Sequence, residues 1–415
     1  MSLPLATLPM AERWDCHQCG ICCYGSIVRL SEQDREKLSQ QGWDKHPDYR
    51  GTPIMVREGW FSSQYHLAQR PDGGCVFLTP EGLCRIHKEF GFEAKPLLCQ
   101  MFPRQIIPLG DRAVLTIRRA CPSAAQDLGR PVEEHLPDVR RLADEGKLLE
   151  KASAAPAIKR GERRPWNVAL ALLRTLSRLI ADERFPPVRR IVHGLVLCRL
   201  LAHARTRRLD DKKLIDLLEV LETTAPDEAA PLFEQRRAPS RIGGILFRQI
   251  GLEYIRLHPQ VRIENTWAER WKLVRFGMAM LRAKGKVPLL SEKLPLIEFA
   301  ALEEPLGVLE PEIYRPFARY LETLAASYQY ALARRVGWSI VESFHSLALT
   351  YPLGLWMMRW VCAGRQPAVR DSADIVTALD RGQGYIPLSG IRQRIRLRLL
   401  ANADDLERAV IWYAR

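Results

Sequence analysis

The chain has 415 residues, of which 47% are hydrophobic and 27% are charged, and its formal net charge is +14 at pH 7. This length exceeds the usual size of one core and favours two domains, while the composition argues against a long disordered tract. The most apolar stretch, Phe344 to Met358, is too short and too interrupted to span a bilayer, so we expect a buried helix and no membrane partner.

The N-terminal residues lack the charged and apolar regions of a secretory signal, so we expect a cytoplasmic, reducing location. Eight of the ten cysteines occur before residue 122, whereas Cys198 and Cys362 stand alone in apolar helical segments. In a reducing compartment a dense group of thiols is typical of a metal site, and isolated cysteines are typical of the core. The candidate metal ligands are Cys16, Cys19, Cys22, Cys23, Cys75, Cys84, Cys99 and Cys121.

Residues 1–125 are predicted to form a small, irregular, cysteine-rich metal-binding module of α+β type. Ser31, with Asp34 three residues later, predicts the start of a short helix. Turn sequences flank the segment between Cys75 and Cys84, so these two cysteines are expected on the two limbs of a tight loop. Extended segments are predicted at 26–30, 54–56, 75–78 and 113–117.

The opening run Cys16-His17-Gln18-Cys19-Gly20-Ile21-Cys22-Cys23 contains two overlapping Cys-x-x-Cys turns, each of which can present two sulfurs to one ion. The spacing reproduces the first three positions of the bacterial ferredoxin run. Cys23 is adjacent to Cys22, so a fourth ligand has to come from the later cysteines. Eight thiols allow one four-iron cluster with spares or two four-cysteine zinc sites. Other candidate ligands, more typical of surface positions, are His17, His66 and His87.

We expect a helix and a linker over 126–165, with the helix at 133–151, and an all-α helical domain over 166–415, so that the chain as a whole is mostly α. In this domain apolar residues recur at helical spacing. Thr266 and Glu269 predict the start of one helix and Gly285 its end. Its apolar face is expected in the core and consists of Trp267, Trp271, Val274, Met278 and Leu281.

Positive charge is concentrated between Lys159 and Lys213, where 15 Lys or Arg stand against 5 Asp or Glu. A basic surface of this kind could meet nucleic acid or an acidic partner. The stretch contains only Trp166 and Phe185 as aromatic residues and offers no stacking platform for bases. The pattern therefore favours the solvated faces of amphipathic helices over nucleic-acid binding.

The cysteine run at 16–23 resembles the YkgJ-type cysteine cluster family, whose members are regarded as zinc or iron chelators. Cys121-Pro122, the chain length and the helical C-terminal half look more specifically like the flagellin lysine-N-methylase (FliB) branch, although the cysteine gaps of that branch are wider. The resemblance extends through Cys75-Val76-Phe77-Leu78, Gly82-Leu83-Cys84-Arg85-Ile86-His87 and Cys99-Gln100-Met101-Phe102-Pro103-Arg104.

Membership of the FliB branch implies an iron–sulfur cluster on these cysteines, with 4Fe–4S favoured over zinc. It also implies methyl transfer from S-adenosylmethionine to the lysines of a protein substrate, flagellin. Arg104, close after Cys99, is then a candidate for binding a carboxylate of the cofactor or substrate, with a structural salt bridge as the alternative. No catalytic residue is recognisable, and no glycine fingerprint of a dinucleotide-type methyltransferase fold occurs. The alternative function is a non-catalytic zinc- or iron-binding protein of the YkgJ family.

Overall fold

The computed structural model describes residues 3–59, 62–149, 154–263, 266–332, 337–384 and 390–415. An N-terminal module with short strands is followed by a body made of helices. The predicted fold class, mostly α with a small α+β module before a helical domain, is confirmed. In the part of the chain that the structure describes, no helix is both long and apolar enough to cross a membrane.

The largest sheet of the module has three strands. Leu5–Thr7 pairs in parallel with Ala113–Ile117, which pairs antiparallel with Arg104–Pro108. Every residue of Ala113–Ile117 is buried, which agrees with a sequence that is apolar except for Thr116, whose hydroxyl donates to the buried Glu12 carboxyl. Two smaller sheets involve the module and the segment after it. In one, Arg13–Trp14 pairs with Arg130–Pro131. In the other, the central strand Tyr65–Leu67 lies between Arg29–Leu30 and Met55–Arg57.

Short helices connect these strands and carry several of the cysteines. Ser31 caps the first helix by accepting a hydrogen bond from Asp34 N, in the capping box that the sequence predicted. The extended segment predicted at 75–78 is wrong, because Leu78 N donates to Cys75 O at 3.0 Å and closes a turn there. The α-helices up to residue 149 are Glu32–Gln40, Arg85–Phe90, Leu97–Met101, Pro122–Ala125 and Leu136–Glu145.

The segment between module and body is more structured than expected. The helix predicted over 133–151 is shorter: a 3-10 turn at Val132–His135 leads into Leu136–Glu145, and residues 150–151 lie outside the described residues. In the segment expected to be a linker, the strands Ala157–Lys159 and Glu162–Arg163 form a hairpin. Lys159 Nζ donates to the carbonyls of residues 201 and 204 at 2.9 and 2.7 Å, so the hairpin is attached to the body.

The helical body is built around Ile340–Val361, in which nearly every residue is buried. This helix contains the apolar stretch that the sequence predicted to be a buried helix. Cys198 and Cys362 are buried in the surrounding core, as predicted. The other α-helices of the body are Trp166–Ala181, Pro187–His203, Asp211–Gln235, Arg241–Ile255, Trp267–Arg282, Pro311–Ala326, Gln329–Leu332, Val369–Gly384, Ile391–Asn402 and Asp405–Tyr413.

The helix Trp267–Arg282 has the opposite orientation to the one expected. Phe276 and Met280 are fully buried and face the body, and the ring of Phe276 stacks on that of Trp360 with 5.7 Å between centroids. The prediction that its tryptophan-bearing face lies in the core is therefore wrong. The exposed residues of that face are Trp267, Trp271, Val274, Met278 and Leu281.

Glu342 is a buried carboxylate of the helical body, and its pKa predicts how acid will affect stability. Burial by itself would raise the pKa of this carboxyl, but hydrogen bonds from Arg394, Arg398 and Ser339 N lower it to about 2. Because the folded-state pKa lies below that of the unfolded chain, the stabilisation is present above pH 4.5 and is lost as the pH falls towards 2.

We therefore expect Glu342→Gln to lower the free energy of unfolding at pH 7 by about 3 kcal/mol, with the difference from wild type vanishing near pH 2. Urea unfolding at a series of pH values measures this difference. Glu145→Gln is the matched control, since Glu145 pairs with Arg141 on an exposed helix face and should have little effect. A difference that stays constant between pH 7 and pH 2 would contradict the assignment.

Candidate metal centre

A glycine allows the cysteine loop 16–23 to approach the loop 75–84 closely. Gly20 has a left-handed backbone conformation with φ of 66°, and it precedes the 3-10 turn Ile21–Cys23. A Cβ atom added to Gly20 would lie 2.5 Å from the carbonyl oxygen of Gly82, so only glycine permits this approach. Cys75 N also donates to Cys23 O at 2.8 Å. These contacts place the loop 16–23 directly beside the loop 75–84.

The later cysteines come from three different structural settings. Cys84 lies across an isolated β-bridge from Leu78, which confirms that Cys75 and Cys84 stand on the two limbs of one loop. Cys84 then precedes the helix Arg85–Phe90. Cys99 belongs to the helix Leu97–Met101, and Cys121 is the residue before the short helix Pro122–Ala125.

The thiol of Cys22 influences the pKa of cysteines from several segments. A hydrogen bond with the Cys23 thiol, together with burial, raises the pKa of Cys22 well above its usual range. Burial raises the pKa of Cys75 to about 11, and the nearby Cys84 and Cys22 contribute to the increase. The structure therefore brings thiols from both loops close enough to influence one another electrostatically.

Cys99, Cys121 and Cys19 extend the same group. Burial raises the pKa of Cys99 and Cys121, the latter to about 11, and in both cases Cys22 adds to the effect. Burial also raises the pKa of Cys19, with further contributions from Cys22 and Cys16. Cys22 is thus the common neighbour of cysteines from all four cysteine-bearing segments.

The thiols are neighbours but do not yet form a coordination shell. Among the described residues, which include all ten cysteines, no three Cys, His, Asp or Glu side chains are already arranged to hold one metal ion. The donor chemistry nevertheless fits a metal centre, because a group of thiolates is what zinc and iron–sulfur clusters select. The raised pKa values mean that a metal has to displace protons when it binds.

The helical body contributes positive charge to this site. Arg381 of the helix Val369–Gly384 donates through Nη2 to the carbonyl oxygen of Ile21 at 2.7 Å. Burial lowers the pKa of Arg381, while the adjacent Cys22 and Cys121 oppose that shift. Sequence reasoning missed Arg381, because it lies 360 positions from Ile21 and its neighbours in the chain include no cysteine-rich motif. A guanidinium in this place can stabilise the negative charge of a thiolate-bound metal.

Asp380, the preceding residue, attaches the body to the segment that leads to Cys121. Its carboxylate accepts hydrogen bonds from Arg118 Nε at 2.9 Å and from Ala120 N at 2.7 Å. The Asp380 side chain is almost completely buried. The module is therefore joined to the body next to its cysteines, and this contact fixes the backbone on the N-terminal side of Cys121.

Arg104 lies away from open solvent. Its guanidinium donates to the carbonyl oxygens of Gln100 and Met101, and it stands 5.5 Å from the ring of Trp14. Burial lowers its pKa. The donors that were expected to hold a cofactor carboxylate thus stabilise the end of the Leu97–Met101 helix, and the cofactor role of Arg104 stays a prediction.

Residues 15–122 match the model of the CxxCxxCC family, which is described as "Putative zinc- or iron-chelating domain". Because of this match, we refer to residues 15–122 below as the CxxCxxCC domain. The match confirms the YkgJ-type resemblance of the cysteine loops and identifies a metal-binding cysteine module. The FliB branch is not distinguished by it and stays a prediction.

The chain is also similar to a curated protein. An uncharacterized protein of Methanocaldococcus jannaschii, MJ0939, is 37% identical over 92 residues, which cover 22% of this chain and 29% of the relative. The chain thus spans less than a third of the length of the relative it matches. No solved structure matches the chain.

Proposed function

We propose that the CxxCxxCC domain binds a single iron–sulfur centre through thiolates grouped around Cys22. The observation that carries the proposal is that cysteines from four separate segments share Cys22 as a neighbour. One centre explains this arrangement better than two independent zinc sites, since two sites would divide the thiols into separate groups. The spacing of Cys16, Cys19 and Cys22 favours a 4Fe–4S cluster.

The positive charges beside the thiols support the same proposal. Lys95 lies close enough to Cys22 and Cys99 to favour their thiolate forms, and Arg381 approaches from the helical body. A cluster held by four thiolates carries net negative charge, so these cations would stabilise the loaded state. The residues of this chain would thus bind the cluster, offset its negative charge and partly enclose it. The bound cluster would supply redox chemistry.

Purification without air tests the identity of the metal. An iron–sulfur centre gives a brown protein whose visible absorption bleaches on reduction, with iron and acid-labile sulfide in equal amounts. Cys198→Ala and Cys362→Ala serve as controls, since both residues lie in the core of the body and should leave the metal content unchanged. A colourless protein with stoichiometric zinc would overturn the iron–sulfur assignment but retain the metal site.

We propose protein lysine N-methylation of the FliB type as the activity of the loaded protein. A surface depression of about 440 Å³ supports it, because it lies where the module meets the body, with Asp111 available as a polar group. Lysine must lose its proton before it can accept a methyl group, and only about one in a few thousand is neutral at pH 7. The residues lining the depression are Leu109, Gly110, Asp111, Trp166, Asn167 and Leu170, without Arg104.

Calorimetry with S-adenosylmethionine distinguishes a methylase from a non-catalytic metal-binding protein. A methylase should bind the cofactor when loaded with metal and transfer labelled methyl groups to flagellin lysines. Asp111→Asn should weaken the transfer, whereas Asp44→Asn, an exposed aspartate elsewhere in the module, should not. If the loaded protein binds no S-adenosylmethionine, the methylase activity is excluded and the non-catalytic metal-binding function remains.

A further inference from the structure

The helix Trp267–Arg282 presents a continuous apolar stripe to solvent. Trp267 is 75% exposed and Trp271 is 64% exposed, although tryptophan is ordinarily among the most buried side chains. At about 100° per residue, the exposed residues fall on one side of the helix and the buried pair, Phe276 and Met280, on the other. The stripe consists of Trp267, Trp271, Val274, Met278 and Leu281.

Basic residues border this stripe on both sides. By the same helical geometry Arg270 lies along one edge, and Arg275 and Arg282 lie along the other; all three are exposed. Lys284 and Lys286, also exposed, continue the positive charge beyond the end of the helix. An apolar stripe with cations along its edges is the pattern of a helix that lies in a membrane interface.

The acidic residue of this helix does not disturb that pattern. Glu269 is half-buried on the side that faces the body, where its carboxylate receives a hydrogen bond from Lys272 at 3.3 Å. The outward half of the helix therefore carries positive charge alone. The sequence predicts no membrane partner because it lacks a segment that could span a bilayer. A helix that lies in the membrane interface does not need such a segment.

Charge and shape together favour a lipid surface over a second copy of the chain. A symmetric dimer formed through this stripe would place the arginines of one copy near those of the other, and like charges oppose such contact. The two tryptophan side chains are mostly exposed, and a protein partner would need a groove of matching shape to cover them. A lipid surface deforms around such side chains, and tryptophan prefers the level of the headgroups.

We propose that the helix Trp267–Arg282 attaches this protein to anionic membrane surfaces. The tryptophan end and the apolar stripe enter the interface, while Arg275, Arg282 and the following lysines contact acidic headgroups. The attachment is reversible, because one short helix buries limited apolar surface. This proposal does not depend on the metal or on the activity of the cysteine module.

Flotation with vesicles of equal parts phosphatidylcholine and phosphatidylglycerol tests the attachment of the full-length, metal-loaded protein. We expect it to float with these vesicles at low salt, to remain behind with pure phosphatidylcholine, and to show a blue shift of tryptophan emission on binding. Trp267→Ala with Trp271→Ala, and separately Arg275→Glu with Arg282→Glu, should each lower partitioning at least about tenfold.

The matched control for the charge reversal is Arg208→Glu with Arg237→Glu, which changes two exposed arginines outside this helix by the same charge. Val220→Ala, at an exposed valine on another helix, controls for loss of apolar surface. Both controls should float like wild type. Failure of the wild type to float would overturn the proposal, as would a dimer, measured by light scattering, that depends on the tryptophans and occurs without vesicle binding.

Discussion

Replacing Cys22 by serine should abolish stoichiometric metal binding. Its thiol is the common neighbour of Cys19, Cys75, Cys99 and Cys121, so its removal takes away the ligand that joins the four segments. A hydroxyl is a poor substitute, because it does not supply a thiolate to a soft metal. Elemental analysis and the visible spectrum of protein purified without air should both show near-complete loss.

The loss of metal should also loosen the module. Its hydrophobic clusters are small, and the loops that carry the cysteines contain little regular structure, so binding energy contributes to their order. Limited proteolysis should therefore cut residues 1–125 of Cys22→Ser faster than those of wild type. Cys198→Ala provides the comparison, as it removes a buried thiol outside the site. Full metal content in Cys22→Ser would contradict a centre organised around this residue.

Asp380→Ala is expected to lower the free energy of unfolding by about 3 kcal/mol, because it removes the carboxylate that pairs with Arg118 and leaves Arg118 Nε and the buried Ala120 N–H without their acceptor. The same change should weaken metal retention, since Asp380 fixes the backbone next to Cys121. Urea unfolding measures the first effect, and the rate of metal loss to a chelator measures the second.

Glu58→Ala is the control for Asp380→Ala, because Glu58 makes a similar ion pair with Arg29 in an exposed position. Screening by water should make its removal nearly neutral. Asp380→Asn keeps the shape and one acceptor oxygen and should fall between wild type and the alanine variant. If Asp380→Ala unfolds and releases metal like wild type, then the contact between module and body does not support the metal centre.

The sequence determined the elements whose signals are local. Ser31 and Asp34 make the predicted capping box, and Ala113–Ile117 forms the predicted strand, since each depends on residues that are neighbours in the chain. The apolar run that became Ile340–Val361 is buried, because such a run has no polar face to present to water. The spacing of the cysteines also predicts the resemblance that the family match over residues 15–122 confirms.

Local signals were misleading where two outcomes share one pattern. A stripe of tryptophan, valine, methionine and leucine is equally compatible with core packing and with an exposed interaction surface, and the side that Phe276 occupies decided between them. The extended segment predicted at 75–78 became a turn, because a hydrogen bond between Leu78 and Cys75 closes it. The segment expected to be a linker forms a hairpin, and Lys159 attaches it to the body by donating to carbonyl oxygens at the end of the helix Pro187–His203.

A thiol-rich metal module followed by a helical domain could be predicted from patterns along the chain. The neighbours of Cys22, the contacts of Asp380 and Arg381 with the cysteine-bearing segments, and the outward face of the tryptophan-bearing helix could not. The difference lies in the range over which each interaction acts. Propensity, capping and apolar periodicity act within a few residues, whereas a buried ion pair or a shared thiol environment forms between residues that only folding brings together.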